Sequence, residues 1–294
     1  MHGRTPSATT WRAAVARGAL LLALTLVGGC PPKTAPPGPV PVPVDEVAVT
    51  TAIEEHDRRV ERIPRLGARG SIDLRWVDEE GDSHFEPGLR LRLGIERPRN
   101  TALRLKKLEQ DVFLIGSDDE HFWVFDRTQD EVVVSGGRHD AMLTTSVALP
   151  LDLRPLALLD LLGLSPLPPP DECTSIEANE ETFIVTAPGA GGPMRVYLDR
   201  VTFLPRRVDS LDADGAVALT STTRRYASVR VAGESAADLP RMATLIDVSD
   251  VDETVNLKIA LDNEMDDEVS PALFDFERLK AYLEPERIEG DLPR

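Results

Sequence analysis

Residue types that could do chemistry are sparse in this chain of 294 residues, and they do not gather into known spacings. The five histidines (His2, His56, His84, His121 and His139) form no His-x-x-x-His pair and stand beside no Cys-x-x-Cys, so the ligand set of a zinc site is missing. Asp118-Asp119-Glu120-His121 could offer carboxylates to a divalent cation, but between two apolar runs it reads as a hairpin tip with solvated charges. Asp262-Asn263-Glu264-Met265-Asp266-Asp267-Glu268 imitates a calcium loop without its sixth-position glycine or flanking helices, and reads as a solvated loop. Gly189-Ala190-Gly191-Gly192 has no following lysine or helical pattern, so it reads as a flexible hairpin rather than a phosphate loop. Ser135-Gly136-Gly137 has no base near it in sequence. No enzyme and no cofactor is expected.

One residue does carry a chemical signal. A basic segment with Arg4, Arg12 and Arg17 is followed by the apolar run Ala19 to Val27 and then Gly28-Gly29-Cys30. This is the layout of a secretory signal, and the run is too short to span a bilayer core of about 30 Å. A cysteine directly after two glycines resembles a bacterial lipobox, which makes Cys30 the expected acylation site and residues 1–29 the signal peptide. Several acyl chains on one residue give stable anchoring where one chain does not. Residues 30–45, with Pro31-Pro32-Lys33-Thr34-Ala35-Pro36-Pro37 at their start, read as an extended proline-rich tether. Cys173 then has no intrachain partner and reads as a small buried hydrophobe.

Charge narrows the partners. The chain has 33 basic and 50 acidic residues; removal of 1–29 leaves 30 against 50, a net of −20. Such a surface repels nucleic acid, so no nucleic-acid partner is expected, and it does not lie flat on anionic lipid.

Residues 46–294 read as one domain built around alternation. Val47 to Ile63 is an amphipathic helix ended by Pro64. The stretch from Ala68 to Val77 opens a sheet, and Phe85 to Ile95 continues it with leucines on odd positions and Arg90 and Arg92 between them. Leu103–Leu105, Val112–Ile115, Phe122–Phe125 and Val132–Val134 follow, separated by short turns. A second series runs over Thr182–Thr186, Met194–Leu198, Phe203–Ser210, Ala216–Tyr226, Met242–Val248 and Val255–Leu261. Leu273 and Phe274 are expected to dock at the close of the domain, near Phe276. Between the two series lies Leu149–Leu167, with ten leucines in nineteen residues. Pro155 suits its first turn and Gly163 its end, and a helix apolar nearly all round is normally buried. It is expected to plug the inner face of the sheet, and Asp160 argues against a membrane span. Exposed arginines on the opening strand likewise argue against a transmembrane barrel.

The fold class expected is mainly β (α+β): a curved antiparallel incomplete barrel of about 11 strands, with helices plugging its concave face. Taken with "Pro-Arg-Asn-Thr-Ala-Leu-Arg-Leu", "Asp-Glu-His-Phe-Trp-Val-Phe-Asp", "Val-Tyr-Leu-Asp-Arg … Leu-Pro-Arg-Arg-Val" and "Leu-Pro-Arg-Met", this order resembles the lipoprotein-carrier (LolA/LolB-like) superfamily of the bacterial envelope. The resemblance covers about Val47 to Phe276. It implies an apolar cavity that takes acyl chains, with lipoproteins as partners. Only Cys30 carries over as a role. By pattern alone the cavity candidates are Leu91, Leu93, Leu103, Leu105, Phe113, Phe122, Leu156 and Leu159. The expected location is the cell envelope, lipid-anchored through Cys30, with the domain facing the periplasm. Pro31 in place of an aspartate favours the outer membrane by the enterobacterial retention rule. The alternative is a structural or sensory lipoprotein with a filled core that meets an envelope protein partner.

Overall fold

The computed structural model describes residues 42–78, 81–127, 132–139 and 155–292. Cys30, the proline-rich stretch as far as Pro41 and residues 149–154 of the leucine-rich segment lie outside the described residues.

Helix α1 (Glu46–Glu61) starts where the Asp45 carboxylate accepts from the amides of Val47 and Ala48, at 3.1 and 3.2 Å. Its buried stripe is Val49, Ala52, Ile53, His56, Arg59 and Val60, the three-and-four spacing of one helix face. A first meander follows: β1 (Arg65–Val77), β2 (Ser83–Glu96), β3 (Asn100–Lys107), β4 (Gln110–Ser117), β5 (His121–Asp126) and β6 (Val133–Arg138). Helix α2 (Pro155–Leu161) leads to the second: β7 (Ser175–Ala178), β8 (Thr182–Pro188), β9 (Pro193–Asp199), β10 (Pro205–Leu211), β11 (Val217–Arg230), β12 (Arg241–Asp250) and β13 (Val255–Leu261). The chain ends with β14 (Met265–Asp266), helix α3 (Phe276–Leu283) and β15 (Arg287–Gly290).

The two meanders become one sheet because β1 pairs antiparallel with β13, from Gly70 opposite Leu261 to Trp76 opposite Val255. β15 pairs parallel with β6 and forms one edge; β7 forms the other, and the two edges do not meet. The result is a large curved sheet not closed into a true barrel. Among the described residues it has fifteen strands rather than about eleven. The three strands with no counterpart in the sequence reading are β7, β14 and β15, of two to four residues each. Pieces that short take their conformation from a pairing partner, and alternation cannot register in them.

The inner face carries the main core. Leu89, Leu91, Leu93 and Ile95 alternate inward on β2 while Arg90 and Arg92 stay exposed. They join Leu103, Leu105, Phe113, Ile115, Val248, Leu257 and Ile259 and the leucines of α2 in one cluster.

The outer face holds a feature visible only once the register is known. Gly67 stands opposite Gly94, Gly94 opposite Ala102, Ala102 opposite Gly116, Gly116 opposite Trp123, and Trp123 opposite Gly136. This row of mostly small residues crosses six strands and forms a trough for the C-terminal chain. A Cβ at Gly67 would lie 2.4 Å from the Glu268 carbonyl oxygen, one at Gly94 2.9 Å from Leu273, and one at Gly136 2.6 Å from Leu292. Gly116 leaves room for the Trp123 indole instead. Leu273 and Phe274 dock here with Val269 and Ala102, as expected from the sequence. Beyond them α3, which the sequence reading does not contain, lays Phe276, Leu279 and Leu283 on Leu114, Trp123, Phe125 and Val134. Full burial of each such side chain is worth about 1.5–3 kcal/mol.

Candidate functional site

The inner face is covered by α2, which packs against β3, β4 and β10. All seven of its residues, from Pro155 to Leu161, are buried. The eight cavity candidates are between 2 and 9 % exposed. Seven of them (Leu91, Leu93, Leu103, Leu105, Phe113, Leu156 and Leu159) meet in one apolar cluster, so the sheet candidates and the helix candidates touch as a single surface. Phe122 is buried outside that cluster, its ring 6.3 Å from the ring of His139. The expected plug is therefore in place, seated on the leucines it was expected to cover. A cavity of about 340 Å³ lies away from this seat, on the outer face.

Polar groups fix the two flanks of α2. Its single acid, Asp160, is 3 % exposed and points into the β8–β9 hairpin. Its two oxygens accept from the amides of Ala190 and Gly191, both at 2.8 Å, and from the Ser165 hydroxyl. Burial pushes this carboxyl up to about 6, with the hydrogen bonds from Ser165, Gly191 and Ala190 pulling the other way. The hairpin expected to be flexible is thus clamped. Its glycines are there for closeness: a Cβ on Gly191 would lie 2.4 Å from the Ala157 backbone, and one on Gly189 2.7 Å from Asp160.

The C-terminal flank is held by α1 and β11. Gly163 turns the chain at φ +64°, and its amide donates to the Asp160 carbonyl at 2.8 Å. Carbonyls there that would lack partners find side-chain donors instead. The Ser221 hydroxyl donates to Leu161 O at 2.7 Å, Arg59 donates to Gly163 O, and His56 Nε2 lies 3.0 Å from Ser165 O. Arg59 also donates to Arg241 O at 3.2 Å and sits 3.2 Å from His56 Nδ1. These contacts set the imidazole tautomer, with Nε2–H donating to Ser165 and Nδ1 accepting from Arg59. Burial, then the neighbouring Arg59 charge, lowers the His56 pKa to about 3, so the ring is neutral at physiological pH. Burial likewise lowers Arg59 to about 10. On the next position of α1, Asp57 accepts from the Leu167 amide at 2.8 Å.

This network was missed from sequence, where Val47 to Ile63 read only as an amphipathic helix and His56 only as one of five scattered histidines. A signal was present: Val49, Ala52, Ile53, His56 and Val60 keep a helical apolar spacing in which histidine occupies an inward position. Which carbonyls it would meet, more than a hundred residues away, no spacing can show. Asp118 accepts from its own hairpin amides, Glu120 and His121, at 2.8 and 2.7 Å. Cys173 is a free, partly buried thiol with its pKa raised by burial. Among the described residues there is no group of three or more metal-ligating side chains and no helix long and apolar enough to cross a membrane.

No protein-family model matches the sequence, and no curated protein matches it. Solved structures do. A DUF1329 family protein from Desulfovibrio piger is 12% identical with a TM-score of 0.51, over 79% of this chain and 99% of that one. A LolA superfamily protein from Nitrosomonas europaea is 11% identical with a TM-score of 0.47, over 77% of this chain and 97% of that one. A domain assigned to outer membrane lipoprotein sorting, from Vibrio parahaemolyticus, is 10% identical with a TM-score of 0.44, over 79% and 97%. At such identities the likeness is one of fold.

Proposed function

We propose that this chain is an envelope lipoprotein whose inner face takes up an acyl chain when α2 moves aside. In this reading residues 1–29 are removed, Cys30 is acylated and anchors the chain, residues 30–45 are the tether, and 46–294 form one LolA/LolB-like half-barrel domain facing the periplasm. The outer membrane is the favoured location. The domain acts by binding, not by catalysis.

The observation that carries the reading is how α2 is held. Its polar contacts lie at its flanks, at Asp160, Leu161, Gly163 and Ser165, while its leucines rest on other leucines. An acyl chain that replaced those leucines would exchange one apolar contact for another, at about 0.8 kcal/mol per buried CH₂, so the exchange is close to balanced. Only the polar flanks resist it. Protein purified from membranes in mild detergent should carry lipid detectable by mass spectrometry, and delipidated protein should take up a fluorescent fatty acid. Absence of both would overturn the proposal.

A specific observation supports a second reading. The candidate residues are already buried by the chain itself, so the core can be permanently filled and the acidic surface can serve a protein partner. Crosslinking in envelope fractions separates the two: capture of one stable partner, with no lipid found, favours the filled core.

A further inference from the structure

The outer-face cavity of about 340 Å³ differs in kind from the apolar seat of α2, and an inference about it does not rest on the reading above. Its walls carry Arg69, Arg92 and Arg230 together with Asp262, Glu264 and Glu268. All six side chains are exposed. None of the six has an ion-pair or side-chain hydrogen-bond partner among the described residues. Positive and negative groups line one hollow without closing on each other. A fourth acid, Asp266, uses one oxygen on its own loop, accepting from the Glu268 amide at 3.0 Å.

The backbone fixes this arrangement. Arg69 lies directly opposite Arg92 on the β1–β2 pair, and like charges so placed are destabilising. The next arginine in the row, Arg104 opposite Arg92, is neutralised by a two-pronged contact with Asp111, both arms 2.5 Å. Arg69 and Arg92 have no such relief. Arg230 is brought to the same hollow by β14, which pairs Asp266 with Arg230 on one side and with Gly67 on the other. The carboxylates enter from the segment after β13, where the Asp262 amide donates to the Arg69 carbonyl at 2.8 Å. Gly67 lets that segment come close, because any side chain there would strike the Glu268 backbone.

Three guanidinium groups facing one space suit an anion with three acceptor oxygens, and guanidinium matches phosphate geometry well. A bare phosphate would also face the carboxylates, which repel it. We infer that this cavity binds a phosphate ester carrying a primary ammonium, with the phosphoryl oxygens on Arg69, Arg92 and Arg230 and the ammonium on Asp262, Glu264 and Glu268. The volume is at the lower end of the range for small-ligand pockets, about 300–1,000 Å³. The same chemistry occurs free in solution and as the head group of a phosphatidylethanolamine.

The test is calorimetric titration of the full chain, in neutral detergent micelles, with O-phosphoethanolamine, inorganic phosphate and ethanolamine. Saturable binding of O-phosphoethanolamine is expected, with each half binding at least about tenfold more weakly. Arg92→Ala and Arg230→Ala should each weaken binding about tenfold, and Glu264→Gln with Glu268→Gln should weaken it while strengthening the response to phosphate alone. These side chains are exposed, so a melting temperature no lower than that of the parent chain confirms that the variants are folded. Micelles doped with phosphatidylethanolamine, but not with phosphatidylcholine, should compete if the source is a lipid; no competition, with free ligand still bound, assigns a soluble source. Equal binding of phosphate alone, unchanged affinity in the arginine variants, or no saturable binding of O-phosphoethanolamine would each overturn the assignment.

Discussion

Two short helices cover the two faces of this sheet, and they do so by opposite means. On the outer face α3 is an ordinary amphipathic cover. Asp275 caps it by accepting from the Arg278 amide at 3.0 Å; Phe276, Leu279 and Leu283 face inward, and Tyr282 stays exposed. On the inner face α2 has no wet side, and its one acid and its terminal carbonyls are satisfied by residues from α1, the β8–β9 hairpin and β11. A half-buried helix is held by its own apolar stripe. A fully buried one has no solvent to satisfy its polar atoms, so they must be answered by name, and those answers determine whether it can leave.

Breaking this contrast should have graded effects. The largest is expected from Leu159→Ala, which empties part of the seat and should cost about 2–5 kcal/mol in denaturant melts. The same melt on Tyr282→Ala, on the wet side of α3, should shift little.

Acid titration sharpens the comparison next, because two buried groups beside α2 act with opposite sign. His56 has a folded pKa depressed to about 3, so its contribution is whole above the unfolded value of 6.5 and is lost as pH falls toward 3. Asp160 is raised from 3.8 to about 6, so the folded state takes up its proton first and gains stability as pH falls through 6 toward 3.8. Other charged groups around them are Arg59, with Asp57 and Arg97 nearby. His56→Gln should flatten the acid loss of stability between pH 6.5 and 4, while Asp160→Asn should steepen it. Parallel profiles in both variants would show that these residues do not govern the acid response.

At neutral pH, Asp160→Ala leaves the Ala190 and Gly191 amides without their acceptor and should cost about 1–3 kcal/mol. It should also raise fatty-acid probe uptake, since it frees one flank of the plug. The smallest effect belongs to α3: Asp275→Ala should cost about 1 kcal/mol by removing a cap, with no change in probe uptake.

The sequence made the inner face legible and left the outer face dark, for a physical reason. Leu89 to Ile95 and Val255 to Leu261 announce themselves because alternation is written within each strand. The plug is announced by its leucines. The trough of Gly67, Gly94, Ala102, Gly116 and Gly136 belongs to no single segment; it exists only between strands, through register. The helix that extends its cover is eight residues long, too brief for periodicity to stand out. The same holds for the charged hollow, whose arginines come from β1, β2 and β11. The loop after β13, which read as merely solvated, supplies its acids.

One backbone contact gives the N-terminal end a mechanical meaning. The Val42 amide donates to the Ala178 carbonyl at 3.0 Å, so the chain leaves the domain beside the edge strand β7. Four residues later α1 begins, and from α1 the arms of Asp57, His56 and Arg59 reach the segment that follows α2. A pull applied before Val42 would first load that backbone bond and the packing of Val42 on the cluster around Ala178 and Phe183, and then α1 along its length. Tension applied to the chain before Val42 would thus be passed through α1 to the segment that follows the plug.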